Sequence, residues 1–146
     1  MKNYIVIILV VIGIGIQFIP GDRSFESVDA NADFITQTNT PEEVAEILKT
    51  SCYDCHSNET KYPWYASVAP VSWWVSDHIE EGRDELNFSA WGTFSDKRKA
   101  KKLHEIEEEV EEGEMPLTSY TFTHSEARLS KEQKEALITW VKYLSR

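Results

Sequence analysis

Cys52-Tyr53-Asp54-Cys55-His56 is the stretch on which the reading of this chain turns. Its spacing is C-x-x-C-H, in which two thiols add across the vinyl groups of a c-type haem and the histidine that follows takes an axial position on the iron. Cys52 and Cys55 are the only cysteines in 146 residues, so no other pairing competes for them. Three other chemistries use a bare C-x-x-C. A thioredoxin-like dithiol sits between a strand and a helix of a βαβ unit, whereas a helical pattern precedes Cys52. A zinc site usually takes four protein ligands, yet there is no second C-x-x-C, and His78, His104 and His124 are scattered singly. A small structural disulfide stays open as a reading, but leaves His56 without a role.

Toward the N-terminus, Tyr4 to Ile19 is apolar apart from Gly13, Gly15 and Gln17, and Lys2 precedes it. A short positive region followed by an apolar run reads as an export signal. At about 1.5 Å per residue the run reaches about 24 Å, a little short of a ~30 Å hydrocarbon core, a mismatch that local thinning absorbs. Pro20-Gly21-Asp22-Arg23 offers no small-x-small cleavage site. Residues 1–20 are therefore expected to be an uncleaved signal-anchor or transmembrane helix, with a cleaved signal as the alternative. Lys2 would stay on the cytoplasmic side and the rest would be exported. Residues 21–39, rich in Asp, Asn, Ser and Thr, read as a flexible tether. Residues 40–146 are enough for one small core. With 25 Asp+Glu against 15 Lys+Arg the net charge is −10. No basic stripe exists, which disfavours nucleic acid; the acidity serves solubility or steers a basic redox partner.

Thr40, Pro41 and Glu43 form a T-P-x-E start for a first helix, whose Val44, Ile47 and Leu48 fall on one face and which runs into Cys52. Ser67 to Glu81 reads as a second helix with Val71, Trp74, Val75, His78 and Ile79 inward and Gly82 as its stop. Ser95 caps a third, to about Glu112, with a narrow stripe of Ala100, Leu103, Ile106 and Val110; its lysines come early and its glutamates late, against the helix dipole. Gly113 ends it. Ser130 with Gln133 opens the last helix, with Leu137, Trp140, Val141 and Leu144 on its inner face. No period-2 alternation appears, so the expected class is all-α.

An electron carrier needs a sixth iron ligand. Met115, in Gly113-Glu114-Met115-Pro116, is the only methionine beyond the N-terminal segment, and thioether sulfur raises the potential of the iron it binds. A core filler is its other reading. His124, in a loop, is the rival ligand; His78 suits a core position and His104 a solvated one. Trp64, Trp73, Trp74 and Trp91 are weak candidates for lining a haem pocket, and Arg83 for neutralising a propionate.

Cys52-Tyr53-Asp54-Cys55-His56-Ser57-Asn58, Tyr62-Pro63-Trp64-Tyr65, Ala69-Pro70-Val71-Ser72-Trp73-Trp74, Asn87-Phe88-Ser89 and Gly113-Glu114-Met115-Pro116-Leu117 together resemble the bacterial haem-binding domain family related to cytochrome c. The resemblance covers about residues 40–145. It implies a small cytochrome c-like helical domain around one covalent haem c, attached on the outer side of the bacterial cytoplasmic membrane, with His56 and Met115 as axial ligands. In such a fold the first and last helices cross beside the haem edge. No reaction is implied. The expected role is single-electron transfer by a membrane-tethered periplasmic monohaem cytochrome, not an enzyme, serving redox proteins that include membrane respiratory complexes. The alternative is a haem-based sensor or peroxidase-like enzyme with an open distal site.

Overall fold

The computed structural model describes residues 2–24, 27 and 29–146; Met1, Phe25, Glu26, Val28 and the side chains of Lys2 and Asn3, on which the expected cytoplasmic charge rests, lie outside the described set. Helix α1 (Lys2–Gly15) is apolar on every side, and its large residues from Tyr4 to Ile14 are 54% to 72% exposed. The apolar run does not continue as one helix to Ile19. It breaks after Gly15 into a 3-10 turn over Ile16–Phe18. There Gln17 leaves the apolar face, its amide donating to the Gly13 and Ala69 carbonyls at 3.0 Å each and its Oε1 accepting from the Ala69 N–H. Among the described residues no helix is long and apolar enough to cross a membrane.

The stretch expected to be a flexible tether carries helix α2 (Phe34–Thr38), capped by Asp33 and closed by left-handed Asn39. Phe34 is 1% exposed, edge-on to Phe88 at 5.2 Å and Trp91 at 4.8 Å. Composition misled here because one aromatic residue is enough to seat a polar segment on a core. Helix α3 (Glu42–Ser51) starts one residue later than the expected capping box. Pro41 is its N-cap and has no side-chain bond to offer, while the Thr40 hydroxyl is taken by Thr38 at 2.6 Å. Val44, Ile47 and Leu48 are buried as their spacing requires. The backbone breaks at Cys52 (φ −127°, ψ −40°), and α4 (Tyr53–His56) is a separate single turn.

A 3-10 turn over Trp64–Ser67 and helix α5 (Val71–Glu85) replace the expected Ser67–Glu81 helix. Gly82 lies inside α5 rather than ending it. The buried residues of α5 are Ser72, Ser76 and Ile79, whereas Val71 and Trp74 of the expected inner face are 40% and 48% exposed. Asn87 caps a 3-10 turn over Phe88–Thr93 that buries Phe88 and Trp91. Helix α6 (Asp96–Glu112) has the expected Ser95 cap and ends at Gly113 with φ 82°, a conformation glycine adopts without steric penalty. Leu103 and Val110 of its stripe are buried and Ala100 is exposed. A short helix α7 (Thr118–Thr123) had no signal in the hydrophobic pattern. Helix α8 (Lys131–Leu144) begins with the full Ser130–Gln133 capping box and buries Leu137 and Val141.

The described residues are helical with no strand. Helix α6 packs along α8, α3 against α8, and α4 against α5. One apolar cluster joins Phe34, Leu48, Tyr53, Phe88, Trp91, Leu103, Leu137 and Val141. Phe34→Ala should therefore lower the unfolding free energy by about 3–5 kcal/mol, read as a shifted urea midpoint at unchanged slope. An unchanged midpoint would return residues 21–39 to the status of a tether.

Candidate functional site

The break at Cys52 lets the C-x-x-C-H turn leave the line of α3 and lie against α5. The approach is close because residue 82 has no side chain: a Cβ on Gly82 would stand 2.9 Å from the Cys55 carbonyl oxygen. The same glycine positions the histidine. His56 Nδ1 lies 2.7 Å from the Gly82 carbonyl and 3.1 Å from that of Leu86. A carbonyl only accepts, so Nδ1 carries the proton and donates, and Nε2 keeps its lone pair. Metal-bound histidines are oriented by this kind of second bond. Burial holds the imidazole below its ordinary value, against the pull of the two carbonyls, and so favours the neutral form that binds a metal.

The two residues between the cysteines fasten the turn from both sides. Tyr53 stacks on Phe88 at 5.1 Å and donates its hydroxyl to Asp33 at 3.0 Å. Asp54 accepts from the Tyr120 hydroxyl at 2.8 Å and from the Lys61 N–H at 3.0 Å. Behind the turn Arg83 donates to the Ser57 carbonyl at 2.8 Å and the Thr60 hydroxyl at 2.7 Å, so the residue expected to meet a propionate braces the loop after the motif.

Cys52 and Cys55 are free thiols in largely apolar surroundings. Burial pushes Cys52 up to about 12, with Cys55 beside it adding to the effect. Burial and then the Asp54 charge push Cys55 up to about 11, against the opposing pull of Arg83. Thioredoxin-like reactivity requires a depressed thiol, so the microenvironment opposes that alternative.

Two adjoining cavities open beside the motif. One, of about 480 Å³, is lined by Leu48, Cys52, His56, Phe88, Ile106, Met115 and Leu137 among others. The second, of about 340 Å³, includes Cys55, His56, His78, Met115 and Leu117. Both volumes fall in the range of cofactor pockets. Ser51, His56, Glu85, Met115 and Pro116 line both, so the histidine and the methionine border the two cavities in common. The end of α6 brings Met115 there: the Glu114 and Met115 N–H groups both donate to the Glu109 carbonyl, at 3.0 and 3.1 Å.

The other sequence candidates are placed differently. His124 stacks on Tyr120, donates from Nδ1 to the Tyr120 carbonyl at 3.2 Å, and lines a separate cavity with Cys55 and Trp74. His104 is 67% exposed beside Glu108. His78 lines the smaller His56 cavity and donates from Nδ1 to the Trp74 carbonyl at 3.0 Å. None of Trp64, Trp73, Trp74 and Trp91 lines either cavity containing His56. Aliphatic residues of α3, α6 and α8 do so instead. Tyr120 went unnoticed in the sequence, and Gly82 was read only as a helix stop; the offset of 26 residues between His56 and Gly82 has no local signature. Lys102 was equally silent: it is 7% exposed at the cavity wall, paired with Glu105 at 2.6 Å and Glu85 at 3.3 Å.

The residues present fit a haem of the c type in donor chemistry: two thiols, an imidazole with a free Nε2, and a thioether, all lining these two adjoining cavities. A family model described as a haem-binding domain matches residues 11–143. No curated protein and no solved structure matches the chain.

Gly82→Val should drive α4 from α5 and lower stability by about 1–3 kcal/mol, measured by thermal unfolding; a wild-type transition would refute the close approach. In the haem-free chain the lowered His56 means that the unfolded state takes up its proton first as pH falls through about 6.5. Stability present above that pH should therefore decline below it, and His56→Gln should flatten that part of a urea-midpoint profile.

Proposed function

The chain belongs to the haem-binding domain family, and from that premise we propose that it is a monohaem c-type cytochrome that moves single electrons on the periplasmic side of the bacterial cytoplasmic membrane. The observation that carries this reading is the shared cavity: His56, oriented by Gly82, and Met115 line the same space, with a thiol of the motif in each part of it. Cys52 and Cys55 would hold the group through thioethers, His56 Nε2 would be the proximal ligand and Met115 sulfur the distal one. Bound there, the haem supplies a one-electron iron couple. The chain's own contribution is to orient the imidazole through Gly82 and to line the cavity with Leu48, Leu86, Phe88, Ile106, Val110 and Leu137, which exclude water. A methionine ligand would leave no open position for substrate or gas, which would favour electron transfer over catalysis or gas sensing.

Anchoring through α1 is part of the same proposal. Its support is the unbroken apolar surface of Tyr4–Ile14, which burial in lipid would remove from water. The partners are then membrane-associated redox proteins, and the −10 charge favours basic docking surfaces on them.

Expression with the haem c attachment machinery should yield protein that keeps its haem stain on a denaturing gel, and Cys52→Ala/Cys55→Ala should abolish that stain. The reduced protein should bind carbon monoxide poorly and Met115→Ala promptly. Prompt binding by the unmodified protein would overturn the filled sixth position and favour the sensor or peroxidase-like alternative.

A further inference from the structure

Beyond the N-terminal apolar segment that ends at Ile19, six large hydrophobic residues among those described are exposed: Trp64 and Phe122 at 81%, Tyr143 at 61%, Trp74 at 48%, Val68 at 43% and Val71 at 40%. Contacts through Tyr65 and Thr123 link Trp64, Val71 and Trp74, with Phe122 next to Thr123 and Val68 three residues before Val71 in the chain. Trp64 packs edge-on to Tyr65 at 5.9 Å, and Tyr65 reaches α7 through a 3.1 Å hydroxyl bond to Thr123, next to Phe122. Tyr65, Val71, Trp74 and Thr123 line a common cavity, which ties the start of α5 to the same face.

The N-terminal segment is fastened to the edge of this face. Gln17 bonds Ala69 in both directions at 3.0 Å, and Trp73 Nε1 donates to the Ile19 carbonyl at 2.7 Å. Arg23 donates to the Ala66 carbonyl and to the Ser67 hydroxyl. Gly21 passes so near α5 that a Cβ there would meet the Ser72 carbonyl oxygen at 2.7 Å. The anchoring points on the domain, residues 66–73, interleave with Val68, Val71 and Trp74. Whatever medium surrounds the aliphatic helix therefore begins within a few residues of the aromatic face.

We propose that this face, carried by Trp64, Val68, Val71, Trp74 and Phe122, lies in the headgroup region of a phospholipid bilayer, so that the domain is seated on the membrane rather than swinging from it. The inference rests on the anchored reading above. Indole rings partition to the membrane–water boundary, one part apolar and one part wet. Isolated exposed apolar residues are ordinary, but five on one face beside an apolar helix form the kind of contiguous patch that marks an interaction site. A chain of net charge −10 is not drawn to anionic lipid, so insertion of these side chains rather than charge holds the face down, and contact persists at high salt. Seating would also hold the His56–Met115 cavity at a constant height and orientation relative to membrane partners.

The test places a benzophenone-bearing residue at Trp64, Phe122 or Tyr143 in the full haem-loaded chain, in phosphatidylethanolamine/phosphatidylglycerol vesicles, under ultraviolet light. Lipid adducts should form at the first two positions several-fold above Tyr143, equally at low and high salt. If the chain floats with the vesicles but all three positions label alike, the seating is wrong and the anchor stands. A crosslinked dimer from position 64 in place of lipid would assign the face to a second copy and overturn the proposal. A chain left free of the vesicles would overturn the anchored reading and the seating together.

Discussion

The contact between the motif turn and Gly82 in the last turn of α5 is the constraint on which the site depends. A single helical turn such as α4 has no stability of its own, since nucleation fixes several residues for one hydrogen bond. It exists because α5 offers a bare backbone at Gly82, and because the carbonyl exposed there meets His56 Nδ1 at 2.7 Å. One residue thus sets the distance between two helices and the tautomer of the histidine. Gly82 costs helix propensity in the last turn of α5, and the close approach is what that cost permits.

Around this contact the remaining parts act in series. Tyr53 and Asp54, the variable positions of the motif, tie the turn to Asp33 and Tyr120 in opposite directions along the chain. The glycine end of α6 then returns the backbone so that Met115 shares the cavity of His56. Burial raises both thiols, which disfavours a pair that cycles through a disulfide. The cavity wall carries Glu105, Glu108 and Glu109 of α6 and Glu85 of α5, with the paired Lys102. Its late glutamates are unfavourable for the helix dipole, so packing on α8 has to hold α6 in place.

The N-terminal third is tied into the domain more closely than its composition suggested. Phe34 enters the core, Gly92 donates its N–H to the Ala32 carbonyl at 2.7 Å, and Gln17 and Trp73 join the end of the apolar segment to the start of α5. The family match begins at residue 11, inside α1, well ahead of the stretch from about 40 in which the motifs lie.

Much of the site was legible in the order of residues. C-x-x-C-H offered its candidate donors because the spacing of the two thiols and the imidazole is local chemistry. Ser95, Gly113, Ser130 and Gln133 marked helix ends because capping is satisfied within four residues, and the all-helical class followed from the apolar spacing in α3, α6 and α8. Local pattern failed where long-range packing outweighed it. Gly82 read as a stop, yet α5 continues through it because α4 fills the space beside it. Val71 and Trp74 read as core, yet two serines of α5 face inward because close backbone approach there needs small side chains. Polar residues 21–39 read as tether, yet Phe34 alone found a partner surface. Sequence by itself determined which atoms are offered to a cofactor. Tertiary structure alone decided that they meet, because the carbonyl that orients His56 and the helix end that delivers Met115 lie 26 and 59 residues away along the chain, distances over which only packing carries information.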